Sequence, residues 1–255
     1  MTAPGPSTLL IRFAVFALLC IPMKVAAQAS ALHPRHYSDF WSGVNIDLKL
    51  DHRWTVFTEG ELKRREFMAK PYGEFVCLGV QYRVVKGFHA HVAIGRQWVV
   101  EEEVYSLVVV GETRLQVQGV LHQTTGRFRF RERLRNEFRW VDRLPSDPAP
   151  GKEFHDRLRI QLGMEYRIFE NKRMPSFVVS DEYLAETING FSHPAFNQNR
   201  IFIGLRQPIG SALSAEAGYL NVYARSGTPW ISEWHDVLKV GLSWSPALHG
   251  RTAEN

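Results

Sequence analysis

Residues 126–140 read GRFRFRERLRNEFRW, and the parity of this stretch decides the fold. Arg127, Arg129, Arg131, Arg133, Arg135, Glu137 and Arg139 occupy alternate positions. Phe128, Phe130, Glu132, Leu134, Asn136, Phe138 and Trp140 fill the positions between, and most of these are apolar or aromatic. A strand sends successive side chains to opposite faces, so this one has a guanidinium face and an apolar face. On a helix the same arginines would scatter around the circumference. The period is therefore 2 and a strand is predicted.

The same alternation extends in both directions. Upstream, Glu112, Arg114 and Gln116 oppose Thr113, Leu115 and Val117 in a strand predicted over about 105–117. Downstream, 144–152 holds Pro145, Pro148, Pro150 and Gly151, a density that breaks any strand. Beyond it, Arg157, Arg159, Gln161, Gly163, Glu165 and Arg167 alternate with Leu158, Ile160, Leu162, Met164, Tyr166 and Ile168. Earlier strands are predicted at 44–50, 54–67, 76–84 and 88–98, with a tight turn at Lys86-Gly87 and a loop at the acidic run 101–103. In the second of these, Glu59, Glu61, Lys63 and Arg65 share a face with Phe57. Shorter strands are predicted at 177–184, 200–206, 213–223 and 236–244.

At the N-terminus, Arg12 precedes an apolar run over 13–22 and the small residues Val25, Ala26 and Ala27. This pattern predicts a secretory signal peptide cut after Ala27; an uncleaved anchor is the alternative. In the cleaved chain Cys77 is the remaining cysteine, which excludes an intramolecular disulfide and a zinc–cysteine site. The mature chain has no apolar run of about 18 residues, hence no membrane helix. The net charge of +5 permits nucleic acid or anionic lipid as a partner and demands neither.

Most of these segments exceed the ordinary globular strand and match the length of a tilted membrane strand. An exported chain of long alternating strands is either a transmembrane barrel or a soluble barrel or sandwich. Alternation alone is symmetric under exchange of the faces. Two details favour the membrane. Trp41, Trp54, Trp98, Trp140, Trp234 and Trp244 lie near strand ends, where interfacial girdles form. Gly79, Gly95, Gly163 and Gly241 lie on the polar face, which suits a crowded lumen. Links after odd-numbered segments are mostly short and those after even-numbered ones mostly longer, as expected of periplasmic turns and extracellular loops. The segments number eleven. Bacterial barrels have even counts, so about twelve strands are expected, with ten as the smaller count. The predicted organisation is a signal peptide at 1–27, an N-terminal segment at 28–39, an all-β, single antiparallel outer-membrane β-barrel at 40–245, and a tail at 246–255.

Several pieces in order carry a family resemblance. They are FWSGVNIDLKLDHRWTVFTEGELKRR, GETRLQVQ, RFRFRERLRNEFRW, SDEYL, FNQNRIFIGLRQPIG, AGYLNVY and HDVLKVGLSW. Together they resemble the outer-membrane β-barrel family labelled domain of unknown function 2490, over roughly 40–245. The last strand also resembles the C-terminal insertion signal of outer-membrane proteins, through Lys239, Gly241, Leu242 and Trp244, but a tail follows it. The resemblance implies location and architecture. It implies no catalytic residues.

The inward charges form the candidate site. Arg127, Arg129, Arg131, Arg133, Arg135, Glu137, Arg157, Arg159, Glu165, Glu112 and Arg114 are expected to make a lumen charge ladder between neighbouring strands. Such a ladder either lines a narrow channel for small anionic solutes or closes the lumen with salt bridges. An outer-membrane lipid-modifying enzyme is the third possibility. Ser180, His193, His89, His91 and Asp181 are candidates on paper, but no G-x-S-x-G elbow or other signature joins them. His89 and His91 share a face without nearby carboxylates or cysteines, a poor metal site. No enzyme activity, cofactor or metal is expected. Nucleic acid is not expected either, since the aromatics face away from the arginines and could not stack on bases held by them. The expected partners are outer-membrane lipids, the barrel-assembly machinery and small anionic solutes, with the cell outer membrane as location.

Overall fold

The structure is a computed structural model and describes residues 33–103, 106–144, 151–188, 195–225 and 231–246. Among these the chain forms strands and connecting turns. The strands are β1 (His33–Lys49), β2 (Trp54–Arg65), β3 (Lys70–Val85), β4 (Phe88–Glu103), β5 (Ser106–Thr125) and β6 (Phe128–Asp142), then β7 (Lys152–Arg167), β8 (Ser176–Ile188), β9 (Ala195–Ile209), β10 (Leu213–Arg225) and β11 (Ile231–Trp244). Each pairs with its sequence neighbours antiparallel, and β1 pairs with β11 to close a single barrel. Closure leaves no open strand edge along the wall, which a chain in lipid requires.

The barrel has eleven strands, not twelve or ten. Among the described residues, 33–40 extend β1 rather than forming a strand of their own, so the barrel begins before residue 40. An odd count closes only if the first and last strands run the same way. β1 and β11 are parallel, with His33 opposite Ile231 and Ile46 opposite Trp244. The chain thus enters the wall at one rim, here the upper, and leaves at the other, the lower.

The faces are inverted relative to a soluble barrel. Leu134, Leu78 and Ile94 are 55%, 58% and 61% exposed on the outside, while Glu112, Arg114, Arg135, Glu137, Arg157 and Arg159 are buried inside. Burying charge and exposing aliphatics is unfavourable in water and favourable in a bilayer. Trp54 and Trp244 lie outside near the lower rim, and Trp98 and Trp140 outside near the upper rim. Trp54 packs on Tyr82 and Trp140 on Phe154, at 4.7 and 5.7 Å between ring centres. Beside the upper aromatics Arg96 bonds Thr113 and Asp142, and Lys152 meets Asp142 at 3.3 Å. Charges on the outer face fit the interfacial level better than the apolar interior.

Trp41 is not a girdle residue. It is 4% exposed and packs inside the barrel with Val178, Phe202, Leu220, Val222, Ala224 and Val237. The parity of β1 sends it inward with Asp39 and Gly43. On the side of the lumen from β8 round to β1 this apolar cluster sits among charged groups such as the buried pair His235 and Asp39, 2.8 Å apart, and Arg206 and Glu216, 2.6 Å apart; the side from β4 to β8 is more densely charged. Lumen glycines make room for rings. A Cβ at Gly79 would come within 2.6 Å of the Phe57 ring, and one at Gly204 within 2.6 Å of the Phe202 ring.

Other expectations shift. Residues 101–103 belong to β4 rather than a loop, and β5 runs on to Thr125. Tyr105, Pro145, Pro148, Pro150, the signal peptide at 1–27 and the end of the tail lie outside the described residues. The short-turn rule holds at Gly87 (φ 87°) and Gly126 (φ 56°), where left-handed backbone suits glycine. It fails at 168–175, a long link on the short-turn rim.

Candidate charge-filled lumen

β5, β6, β7 and β8 set the charged rows. Register places Gln116, Glu137, Arg157 and Glu186 in one row and Gln118, Arg135 and Arg159 in the next. Like charges are thus rarely left as direct neighbours without a carboxylate diagonally beside them.

Glu137 is the hub and is 0% exposed. Arg157 donates from Nε to its Oε2 at 2.7 Å, and Arg159 from Nη1 to its Oε1 at 2.8 Å. Arg114 and Arg135 each bring an Nη1 within 3.6 Å. Glu182 is a second hub: Arg159 grips both its oxygens at 3.0 and 2.9 Å, Arg133 donates to it, and Arg200 stands at 3.8 Å. Glu112 accepts from Arg114 at 2.7 Å and from Arg139 through both oxygens, at 2.8 and 2.5 Å. Arg139 also reaches Glu186, which accepts from Asn197 at 2.7 Å and meets His155 at 2.9 Å. Fork-to-carboxylate pairing is the geometry guanidinium favours.

The network crosses the lumen as well as climbing the wall. Arg135 on β6 approaches Glu59 on β2 at 3.8 Å. Arg200 on β9 lies over the Trp41 ring of β1, 5.4 Å from its centre, and Lys63 covers the same ring at 4.3 Å. The charged network and the apolar cluster meet along these cation–π contacts.

The structure brings Arg133, Arg135, Glu137, Arg157, Arg159, Glu112 and Arg114 together around the hubs and places Arg127, Arg129, Arg131 and Glu165 apart. Arg127 sits in the β5–β6 turn, where it bonds the Ile168 carbonyl and Glu170 outside the ladder. The alternation runs through it, but Phe128 is the first strand residue. Glu165 lies toward the lower rim, with Arg129 at 3.2 Å and Arg206 at 3.1 Å, away from the hubs. Sequence reasoning missed Glu182 and Glu186. Their signal was present, since Glu182, Leu184 and Glu186 alternate with Asp181, Tyr183 and Ala185.

Ser180 and Asp181 are consecutive on β8 and so face opposite sides. His89 and His91 lie on β4, and His193 is outside the described residues. Among the described residues no group of three or more His, Cys, Asp or Glu could hold a metal ion.

No curated protein matches the chain. Among solved structures it is similar to the crystal structure of the beta domain of the Bordetella autotransporter BrkA. That likeness has 12% identity and a TM-score of 0.43, covering 71% of this chain and 79% of that one. A family model described as a protein of unknown function matches residues 38–233, from within β1 into β11. The chain therefore belongs to the DUF2490 family.

Proposed function

We propose that this protein is an outer-membrane β-barrel with a sealed lumen, a membrane-embedded body rather than a diffusion pore. The observation that carries this reading is the full burial of Glu137 among Arg114, Arg135, Arg157 and Arg159, opposite the apolar cluster around Trp41. In this reading the guanidiniums, carboxylates and rings that meet across the section obstruct water and solutes. An outward aliphatic surface bounded by tryptophans supports the membrane location, with lipids and the barrel-assembly machinery as partners. The reading is non-catalytic.

A second reading, a narrow anion path, is favoured by one observation. Arg131 makes no ion pair among the described residues and bonds only Gln161. In that case the seal opens when an anion competes with Glu137 or Glu182 for the arginines. Osmotic swelling of liposomes carrying the folded protein separates the two. The sealed barrel leaves small neutral sugars outside, so wild-type vesicles swell no faster than empty ones. Rapid swelling with small sugars overturns the sealed reading; swelling confined to small anions favours the second.

A further inference from the structure

The lower third of the lumen differs from the belt above it. The belt matches each guanidinium with a carboxylate. Below it, the lumen face of β4–β6 carries His89, His91, His122, Arg129, Arg131 and Arg133. Arg129 is paired with Glu165, and one nitrogen of Arg133 with Glu182. Arg131 stands near Glu59 and Glu182 without reaching ion-pair distance of either. Glu59 is turned to Arg135, and Glu182 is already held by Arg159 at 2.8 Å.

Two buried nitrogens here are unpaired among the described residues: the donor Nε of Arg133 and the ring Nε2 of His91, which donates in the Nε2–H tautomer. His91 faces the charges of Arg131, Arg133 and Arg135. There is also room. Arg131 is opposite Gly163, and Gly163 is opposite Ser180, so the row beside the Arg131 backbone has small side chains. A Cβ built on Gly163 meets its nearest atoms no closer than 3.6 Å, ordinary van der Waals contact. The vestibule opens to the lower rim past His122 and Arg129, both exposed.

Clustered guanidiniums in a low-dielectric wall repel one another unless an anion lies between them. Planar forks and an imidazole N–H suit the oxygens of a tetrahedral oxyanion, and the site is reached from water, not from the bilayer. We propose that this vestibule binds a small soluble oxyanion of the phosphate class, held by Arg131, the free edge of Arg133 and His91. The proposal goes beyond the sealed barrel: the ligand enters from the lower rim and stops beneath the charge belt.

The test is calorimetric titration of the folded protein in detergent micelles with inorganic phosphate, at pH 7 and constant ionic strength. Wild type is expected to show saturable binding. Arg131→Gln and His91→Gln are each expected to weaken it about tenfold or more, since a buried charge-assisted bond is lost. Arg131→Lys keeps the charge and loses the fork, so it is expected to bind more weakly than wild type also. Arg127→Gln removes an arginine from the same rim but outside the vestibule and is expected to bind as wild type. Heat-dependent gel mobility verifies that each variant is folded. No saturable binding up to about 10 mM phosphate overturns the site. Equal weakening by Arg127→Gln also overturns it, because diffuse rim charge then suffices. Phosphate binding without vesicle swelling leaves the sealed barrel standing; swelling without phosphate binding removes the site and the seal separately.

Discussion

Glu137 carries one carboxylate against four guanidiniums, and its burial makes that balance matter. Glu137→Gln keeps the shape and removes the charge: one acceptor oxygen facing Arg157 or Arg159 becomes an NH2 donor, and Arg157 loses its carboxylate, while Arg114 keeps Glu112 and Arg135 keeps Glu59 at 3.8 Å. The expected cost is about 3–5 kcal/mol in urea unfolding from lipid vesicles, the range for breaking a buried pair from one side. Arg127→Gln, by contrast, breaks an exposed pair with Glu170 and is expected to change stability by less than about 1 kcal/mol. At this scale the sequence was partly readable. The alternation from Arg129 to Arg139 stated which side chains share a face. It did not state who pairs with whom, because Glu182 and Glu186 meet the arginines of β6 over an intervening strand. Trp41 shows a different miss: proximity to a strand end suggested a girdle, while its parity with Gly43 already put it inside.

Strand identity was the most legible layer, because period-2 alternation is local and each strand is long. Every predicted segment became one strand. Strand number was harder, since the even-count rule describes barrels whose two ends lie on one side, and closure is a long-range property that no segment displays. The β1–β11 seam is where that difference can be measured. Ser42 and Val240 face each other across it on the outer wall. In a Cys77→Ala background, cysteines at these two positions are expected to cross-link under mild oxidation, since directly registered neighbours lie within disulfide reach. A pair at Ser42 and Leu238, out of register, is expected to stay reduced. No cross-link in either is the outcome for a barrel with a twelfth strand inserted at the seam, and the reverse pattern that for a shifted register. Strand lengths also depended on pairing. The sequence of β5 looks interrupted after Val117 by Gln118 and Gly119, yet β4 and β6 pair with it to Leu121 and Thr125.

For the whole molecule, alternation could not say which face is inside, and exposure answers that: the aliphatics are out and the charges in. It also could not say whether the lumen is open. That depends on how side chains from β2, β6, β9 and β1 meet across the interior, as Arg135 meets Glu59 and Arg200 meets Trp41. In the proposed seal the charged network and the apolar cluster fill the section together, and neither alone would close it. Membrane insertion and the proposed seal draw on one pattern, read outward and inward. The most direct measurement is single-channel current from the refolded wild-type protein in a planar bilayer, at neutral pH and moderate salt. A sealed lumen gives no steady conductance above the bare membrane. Stable, ohmic openings that persist after the protein is shown to be folded and inserted would contradict it.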